Sequence, residues 1–368
     1  MSEKLKKTKT LNFYIVLIST LFSLILVEIL MKNFYRNMSN PYWKQKYNLY
    51  QQGEIYTHVG DVLKYYPNKS ILTETYYYVD NKFHKEFSYK INTNNYGLVQ
   101  EHNIKKNIPS ILFLGDSFTE GIGAKSWINN FNGSFKNYQI INGGILGYGP
   151  VQFEKMDYHI SKNYNVNKVV VLYIAADIRR SLFKMPNRTI LCLKNYKNCK
   201  GDENFYGFPM DKKPVMPFLN YLKDYRENKI NLEKNTLSFK KIRRSIRFFI
   251  QDLYIIKLPS DILRKKYYRS KNKEIMKNFD SFTNLHKKYG DAIIFIRIQE
   301  KKEMMNNRFK YESVYATKHI KELTNKHFIC DFDNELKSFY EYDPHPNKYG
   351  YNKLFECVEK IISKNFIF

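Results

Sequence analysis

The sequence is poor in residues that build metal sites and covalent scaffolds. Its 368 residues include only four cysteines, and no Cys/His grouping has the spacing of zinc ligands, so no metal is expected. No internal repeat or low-complexity tract is evident. Acidic residues are also in deficit, because 61 Lys+Arg stand against 35 Asp+Glu, a formal net charge of +26. That excess favours nucleic acid, phospholipid or acidic polysaccharide as a partner, although its even spread is also typical of a solvated Lys/Asn-rich surface.

One long apolar run is present, near the N-terminus. Residues 1–10 carry four lysines, and residues 11–31 are apolar apart from an asparagine, a few hydroxyls and one glutamate. About 20 apolar residues suffice to span a bilayer as a helix, and the bulky end of the run lacks the Ala-x-Ala pattern of a cleaved signal peptide. We therefore predict a cytoplasmic basic tail at 1–10 and a transmembrane signal anchor at 11–31, with a buried core helix as the alternative.

The charges around this run favour an orientation only weakly, because basic residues also follow it between 32 and 46. A short basic tail before a single span usually stays in the cytoplasm. The rest of the chain is therefore expected outside the cytoplasmic membrane, in the periplasm or extracellular space. This placement removes nucleic acid as an expected partner.

The cysteines fit an oxidising compartment. Cys192 and Cys199 bracket a short polar stretch and can close a small loop disulfide there. Cys330 follows a strand-like run and Cys357 lies in the last expected helix, so both are expected to be buried thiols.

The chain changes character at about residue 109. Residues 32–108, rich in Tyr, Asn and Lys, are interpreted as a membrane-proximal spacer and accessory layer, with short strands around a turn at Asp80-Asn81. Residues 109–368 alternate apolar strands with amphipathic helices, which predicts a parallel sheet covered on both faces. The expected strands are 75–79, 87–91, 110–115, 138–142, 168–173, 291–298 and 327–331, and the expected helices are 151–163, 304–326 and 350–363.

Residues 184–275 interrupt this alternation and are interpreted as an insertion. Glycine and prolines between 207 and 217 break regular structure. Apolar residues then recur at helical spacing between 242 and 256, with lysines and arginines between them. This pattern predicts either a core-packed helix with a solvated basic face or a surface helix that touches anionic lipid or an acidic polymer.

The segment 111–121 carries the clearest chemical signal. Four apolar residues lead directly into Gly115-Asp116-Ser117, which is typical of a buried strand that ends by presenting a serine. In open α/β sheets ligands bind outside the carboxyl ends of the strands, so Ser117 is placed to act as a nucleophile. An ordinary turn is the alternative, because all three residues form turns.

Three further blocks follow the same logic. The strand end at Asn142 runs into a glycine-rich loop, where a backbone N–H can approach and stabilise an oxyanion. A third apolar strand ends near Asp177. Before the last helix, Asp343 and His345 lie in a proline-stiffened loop, where an imidazole can take a proton from a serine and a carboxylate can fix its tautomer.

With these blocks in place, residues 110–364 resemble the GDSL-type (SGNH) esterase and acyltransferase family. The resemblance implies a three-layer α/β/α flavodoxin-like parallel sheet, with Ser117 as nucleophile and the N–H groups of Ser117 and Gly147 as oxyanion donors. His345 is then the base and Asp343 its orienter. The stretch 92–97 resembles a segment that often precedes the domain in membrane-anchored bacterial members.

Two positions depart from the family pattern. Ala176 stands where the family usually has an asparagine that donates to the oxyanion, and losing one such donor can cost about 10²–10³-fold in turnover. Many family esterases also place the acid three residues before the histidine, where this chain has Tyr342. Asp343 lies two residues before it, as in some polysaccharide acetyltransferase relatives.

The resemblance and the expected compartment together imply a serine esterase or O-acyltransferase that acts on acyl groups of cell-surface polysaccharide or related esters, a lipid ester included. Asp116, Asn142 and Asp177 are expected to support the site, and neither a metal nor an organic cofactor is expected. The alternative is a catalytically weak domain of the same fold that binds surface glycan or organises an assembly.

Overall fold

The structure is a computed structural model that describes residues 14–20, 22–27, 45–51, 53–180, 182, 185, 187–198, 208–210, 216–224, 273–305, 311–333 and 335–366. The chain divides into two units. In the first, residues 1–41 and 227–272, the described residues 14–20 and 22–27 are helical. Among all described residues, no helix is long and apolar enough to cross a membrane. The remainder of the predicted span 11–31, the basic tail and the predicted basic helix at 242–256 lie outside the described residues.

The second unit, residues 42–226 and 273–368, contains a five-stranded parallel sheet. Its strands lie in the order β7-β6-β8-β10-β11, so that the first strand in sequence has the second on one side and the third on the other. This is the doubly wound flavodoxin-like order, whose switch point lies between the first and third strands. The bounds are β6 Ser110–Gly115, β7 Gln139–Gly144, β8 Val166–Tyr173, β10 Ile293–Ile298 and β11 His327–Cys330.

Helices cover both faces of this sheet, which makes three layers. Successive residues of β6 point to opposite sides: Leu112 and Leu114 join one buried apolar cluster, and Ile111 and Phe113 join the other. Each cluster side chain that leaves water contributes roughly 1.5–3 kcal/mol. The described helices are α1 Ser117–Glu120, α2 Pro150–Ser161, α3 Asn187–Lys194, α4 Lys273–Tyr289, α5 Lys301–Met305, α6 Tyr311–Leu323 and α7 Lys348–Asn365, and residues 216–224 are also helical.

A second sheet is formed largely by the N-terminal part of this unit. Its order is β5-β4-β1-β9, and a separate hairpin pairs β2 with β3. Asp80 and Asn81 turn β4 into β5 with φ of 48° and 62°, the backbone that a tight two-residue hairpin requires. The bounds are β1 Lys46–Gln51, β2 Tyr56–Val59, β3 Val62–Tyr65, β4 Ser70–Val79, β5 Lys82–Asn92 and β9 Phe208–Met210.

Two details differ from the predictions. The expected helix 304–326 is two helices, α5 and α6, and a 3₁₀ turn at Gly290–Ala292 delays the start of the strand expected at 291. The cysteine prediction was wrong as well: Cys330 and Cys357 are not thiols but form a disulfide. It joins β11 to α7, whose Cα atoms at this crossing are 5.9 Å apart, within the usual reach of the bond.

Candidate active site

Ser117 lies at the carboxyl end of β6, where it begins α1 and is almost fully buried. The strand ends here because Asp116 caps the helix, its Oδ1 accepting a hydrogen bond from Phe118 N at 2.9 Å. Gly115 is required at the bend, since a Cβ there would lie 1.9 Å from Thr119 Oγ1 and 2.7 Å from a backbone carbonyl oxygen. Ser117 therefore occupies a tight strand-to-helix turn beside the switch point of the sheet.

The structure brings Ser117, His345 and Asp343 together. His345 Nε2 lies 2.8 Å from Ser117 Oγ, and Nδ1 of the same ring is hydrogen-bonded to Asp343 Oδ1. With Nδ1 donating to the carboxylate, Nε2 is left as an acceptor for the serine hydroxyl. Asp343 Oδ1 also accepts from the His345 backbone N–H at 3.0 Å. This arrangement can move the Ser117 proton onto the imidazole.

The loop that presents Asp343 and His345 is closed by its own backbone. Tyr340 N donates to the His345 carbonyl at 3.2 Å. Asn347 then caps α7, its side-chain oxygen accepting from Gly350 N at 3.1 Å. The start of α7 thus fixes the loop immediately after the imidazole.

The second oxygen of Asp343 is held by the four-stranded sheet, a contact that the sequence did not reveal. Tyr77 on β4 donates to Asp343 Oδ2 at 2.7 Å, and Lys46 on β1 donates to the same oxygen at 2.5 Å. Burial alone would raise the pKa of this carboxyl, but the charges of Lys46 and His345 and their hydrogen bonds hold the pKa well below its usual range. Asp343 is therefore ionised at neutral pH although its side chain is fully buried.

The predicted oxyanion donors are Ser117 and Gly147. Gly147 follows β7 with a φ of +84°, a left-handed conformation that glycine adopts without strain. Within the described part of the chain, neither the Ser117 N–H nor the Gly147 N–H donates to a protein acceptor. Both remain available for a ligand oxygen, as an oxyanion hole requires.

Groups on both flanks of Gly147 fix the loop that carries it. On one side Leu146 N donates to Glu120 Oε2 at 2.6 Å, and on the other the Tyr148 carbonyl accepts from Arg180 Nη1 at 2.8 Å. Neither Glu120 nor Arg180 was predicted as a site residue. The sequence feature that could have indicated Glu120 is its position one helical turn after Ser117, at the end of α1.

Arg180 also joins two of the predicted supporting residues. Its Nη1 lies 2.8 Å from Asp116 Oδ2 and 2.5 Å from Asp177 Oδ1. Burial would lower the pKa of the guanidinium, but the charges of Asp177 and Asp116 raise it, so the cation is retained. Asp116 Oδ2 is in turn 3.3 Å from Ser117 Oγ. The three-residue spacing of Asp177 and Arg180 was the local signal for this pair.

Asn142 and Ala176 lie beside the site without bonding to it. The Asn142 amide donates to the Val99 carbonyl at 2.9 Å and to Ser126 Oγ at 3.0 Å, so it ties the end of β7 to neighbouring segments. Ala176 is half-buried against apolar side chains and brings no side-chain donor. Ala176 therefore offers no side-chain donor in place of the family's asparagine, and the backbone N–H groups of Ser117 and Gly147 are left as the predicted oxyanion donors.

Among the described residues, no group of three or more His, Cys, Asp or Glu side chains could hold a metal ion. Cys192 is buried on α3, but Cys199 lies outside the described residues, so their pairing stays a prediction.

Comparisons with known proteins give distant likenesses. No family model and no curated protein matches the sequence. Among solved structures, the chain is similar to a lipase/acylhydrolase from Enterococcus faecalis (10% identity, 70% of this chain and 96% of that one, TM-score 0.36). It is also similar to a member of the lipolytic protein G-D-S-L family from Veillonella parvula (10%, 70% and 99%, 0.33) and to a GDSL-like lipase from Bacteroides thetaiotaomicron (14%, 70% and 89%, 0.30). At these scores the likenesses carry no weight, and the function below rests on the geometry.

Proposed function

We propose that this chain is a serine esterase or O-acyltransferase. The observation that carries the proposal is the continuous hydrogen-bonded series from Ser117 Oγ to His345 to the buried Asp343 carboxylate. Ordinary turns and caps do not require a buried serine to face an imidazole whose other nitrogen is held by an ionised carboxylate. That arrangement is the one that activates a serine hydroxyl as a nucleophile.

In the acylation step, Ser117 Oγ attacks the ester carbonyl carbon while its proton passes to His345 Nε2. Asp343 stabilises the imidazolium and keeps the ring oriented. The carbonyl oxygen becomes an oxyanion that the Ser117 and Gly147 N–H groups bind. When the tetrahedral intermediate collapses, the carbon–oxygen bond to the alcohol breaks, and the leaving alkoxide takes the proton from His345.

The acceptor of the second step decides the reaction class. Water, deprotonated by His345, releases the carboxylic acid and gives an esterase. A sugar hydroxyl in the same place takes the acyl group and gives an O-acyltransferase. Ser117 is regenerated in both cases, and the balance of atoms needs no further reactant.

The expected compartment and the net charge support the proposed substrate class. An N-terminal membrane anchor at 11–31 and a domain outside the cytoplasmic membrane would bring the site to acyl groups of cell-surface polysaccharide or to lipid esters. The Cys330–Cys357 disulfide supports that placement, because disulfides persist in oxidising compartments. The net charge of +26 favours an anionic polymer or membrane surface nearby.

A second candidate is a catalytically weak domain that binds surface glycan or organises an assembly. Ala176 favours it, since the site then stabilises the oxyanion with backbone donors alone. The ionised Asp343 with its four hydrogen bonds favours the enzyme, because a binding module has no use for a buried carboxylate held against an imidazole.

The test uses the full-length protein in detergent with a chromogenic acetate ester. Ser117→Ala is expected to abolish turnover and covalent labelling by a fluorophosphonate, whereas Ser134→Ala, at an exposed serine, is expected to retain both. Equal rates for Ser117→Ala and the wild type would remove Ser117 as nucleophile. Adding a polysaccharide acceptor with an acyl donor then separates transfer from hydrolysis, and glycan binding that survives Ser117→Ala without turnover in the wild type would favour the second candidate.

A further inference from the structure

The oxyanion loop, residues 145–149, is held by a carboxylate that the mechanism above does not use. Glu120 is 1% exposed, and both of its oxygens are occupied. Oε2 accepts from Leu146 N at 2.6 Å and Oε1 accepts from the Tyr65 hydroxyl at 2.7 Å. Leu146 immediately precedes Gly147, so the direction of the Leu146 N–H and the position of the Gly147 N–H are set by the same short backbone.

Glu120 is also a buried carboxyl in an apolar, tyrosine-rich part of the core. Its own turn contributes Asp116, whose charge opposes ionisation, and the elements packed around it contribute hydroxyls. The Glu120 charge helps to raise the pKa of six nearby tyrosines: Tyr50, Tyr56, Tyr65, Tyr89, Tyr148 and Tyr351. Burial raises the pKa of Glu120 to about 7, against the lowering effect of the bonds from Tyr65 and Leu146.

We propose that Glu120 is a positioning residue for the oxyanion-donating N–H of Gly147, and that its carboxylate form is the competent one. The proposal rests on the proposed function, because Gly147 has this role only in acyl transfer. An ionised carboxylate accepts a hydrogen bond about twice as strongly as a neutral group does. Protonation of Glu120 therefore loosens the bond to Leu146 and lets the Gly147 N–H move from its place.

Stability and activity are expected to respond to this group in opposite directions. The folded-state pKa lies above the ordinary glutamate value of 4.5, so the folded state holds the proton more tightly than the unfolded chain does. The stability that this provides is complete below about pH 4.5 and is lost as pH rises through about 7. Turnover, by contrast, gains from the ionised form, so it rises over the same upper part of this range.

The experiment compares the wild type with Glu120→Gln, which mimics the neutral carboxyl: its side-chain oxygen can still accept from Leu146 N, and its amide can donate to the Tyr65 hydroxyl oxygen. The ratio of their kcat values cancels every titration that the two proteins share. We expect the wild-type kcat divided by that of the variant to rise several-fold between pH 6 and 8, with KM unchanged. A group with a pKa of about 7 goes from roughly one-tenth to roughly nine-tenths ionised over that range, and its charge-assisted bond is absent from the variant. Over the same range the Tm of Glu120→Gln is expected to climb relative to the wild type.

A purely structural role for Glu120 predicts the same change in Tm but equal activity of the variant and the wild type at pH 8. A kcat ratio that does not depend on pH would overturn the inference while leaving the proposed function intact. Absence of Ser117-dependent turnover in the wild type would end both together. A second variant, Tyr65→Phe, keeps Glu120 but removes a hydrogen bond that lowers the Glu120 pKa. The pH at which kcat is half of its maximum should therefore be higher in this variant than in the wild type. An unchanged midpoint would count against the proposal.

Discussion

Replacing Lys46 by methionine tests how far the proposed site depends on the four-stranded sheet. The substitution keeps an apolar chain of similar length but removes the ammonium that donates to Asp343 Oδ2 at 2.5 Å. Asp343 then keeps its two bonds from His345 and the one from Tyr77. A hydrogen bond to a charged group contributes about 1.5–3 kcal/mol, so its full loss in the transition state lowers kcat about tenfold to a hundredfold.

The pH dependence of stability gives a second readout. Asp343 has a depressed pKa in the folded state, so its ionised form stabilises the fold above its ordinary pKa and that stability is lost as pH falls through the folded value. Without the Lys46 charge the folded pKa rises, and acid unfolding of Lys46→Met should begin at a higher pH than in the wild type. Circular dichroism at a series of pH values measures this shift.

The matched control is Lys85→Met in the same sheet. Lys85 Nζ lies 2.5 Å from Glu74 Oε1, but its side chain is 47% exposed, and exposed pairs contribute about 0–1 kcal/mol. This variant should keep wild-type kcat in the chromogenic ester assay. A folded Lys46→Met protein with wild-type kcat at pH 7 would refute the role of Lys46, and an equal loss in both variants would show that the effect is on the sheet rather than on Asp343.

Two further predictions concern stability. Protein alkylated at lysis should carry no free thiol at Cys330 or Cys357. The double alanine variant should lose about 3.5 kcal/mol of unfolding free energy, because the disulfide closes a loop with a sequence separation of 27. Free thiols, or a loss below about 1 kcal/mol, would contradict the prediction. Arg180→Ala leaves the Asp116 and Asp177 carboxyls without their shared cation and should cost about 3 kcal/mol at pH 7. Burial raises the pKa of Asp177 and the Arg180 charge opposes that rise, so Asp177 in the variant is expected to take up a proton at a higher pH. Urea denaturation should therefore show a smaller deficit at pH 5, and a deficit independent of pH would argue against the ion pair.

The strands of the parallel sheet, and the edge at which their carboxyl ends meet, could be predicted because each apolar run that indicates a strand is local in sequence. The apolar run before Gly115 is long enough for a buried strand, and its abrupt end at Asp116 indicates a turn. Since carboxyl ends of parallel strands meet at one edge, such runs also predict that the residues after them lie near one another. The structure places Ser117 and His345 within hydrogen-bonding distance.

The contacts of Lys46 and Tyr77 with Asp343 could not be predicted in the same way. Lys46 and Tyr77 are 297 and 266 residues from Asp343 and come from a different sheet, and no periodicity encodes the docking of one sheet on another. Cys330 and Cys357 were predicted as buried thiols because burial is the same signal for a thiol and a disulfide. The crossing of β11 and α7 decides between them, and it appears only when both elements are packed.

The separation between Ser117 and His345 has a consequence for biosynthesis. The two residues are 228 positions apart, and ribosomes add about 5–20 residues per second, so Ser117 is made roughly 10–45 seconds before its base. During that interval the serine hydroxyl has no imidazole to activate it, although the strands that will hold Asp343 already exist. In a nascent or truncated chain Ser117 is therefore expected to be unreactive towards esters. It would become reactive only when the loop that carries Asp343 and His345 packs against both sheets.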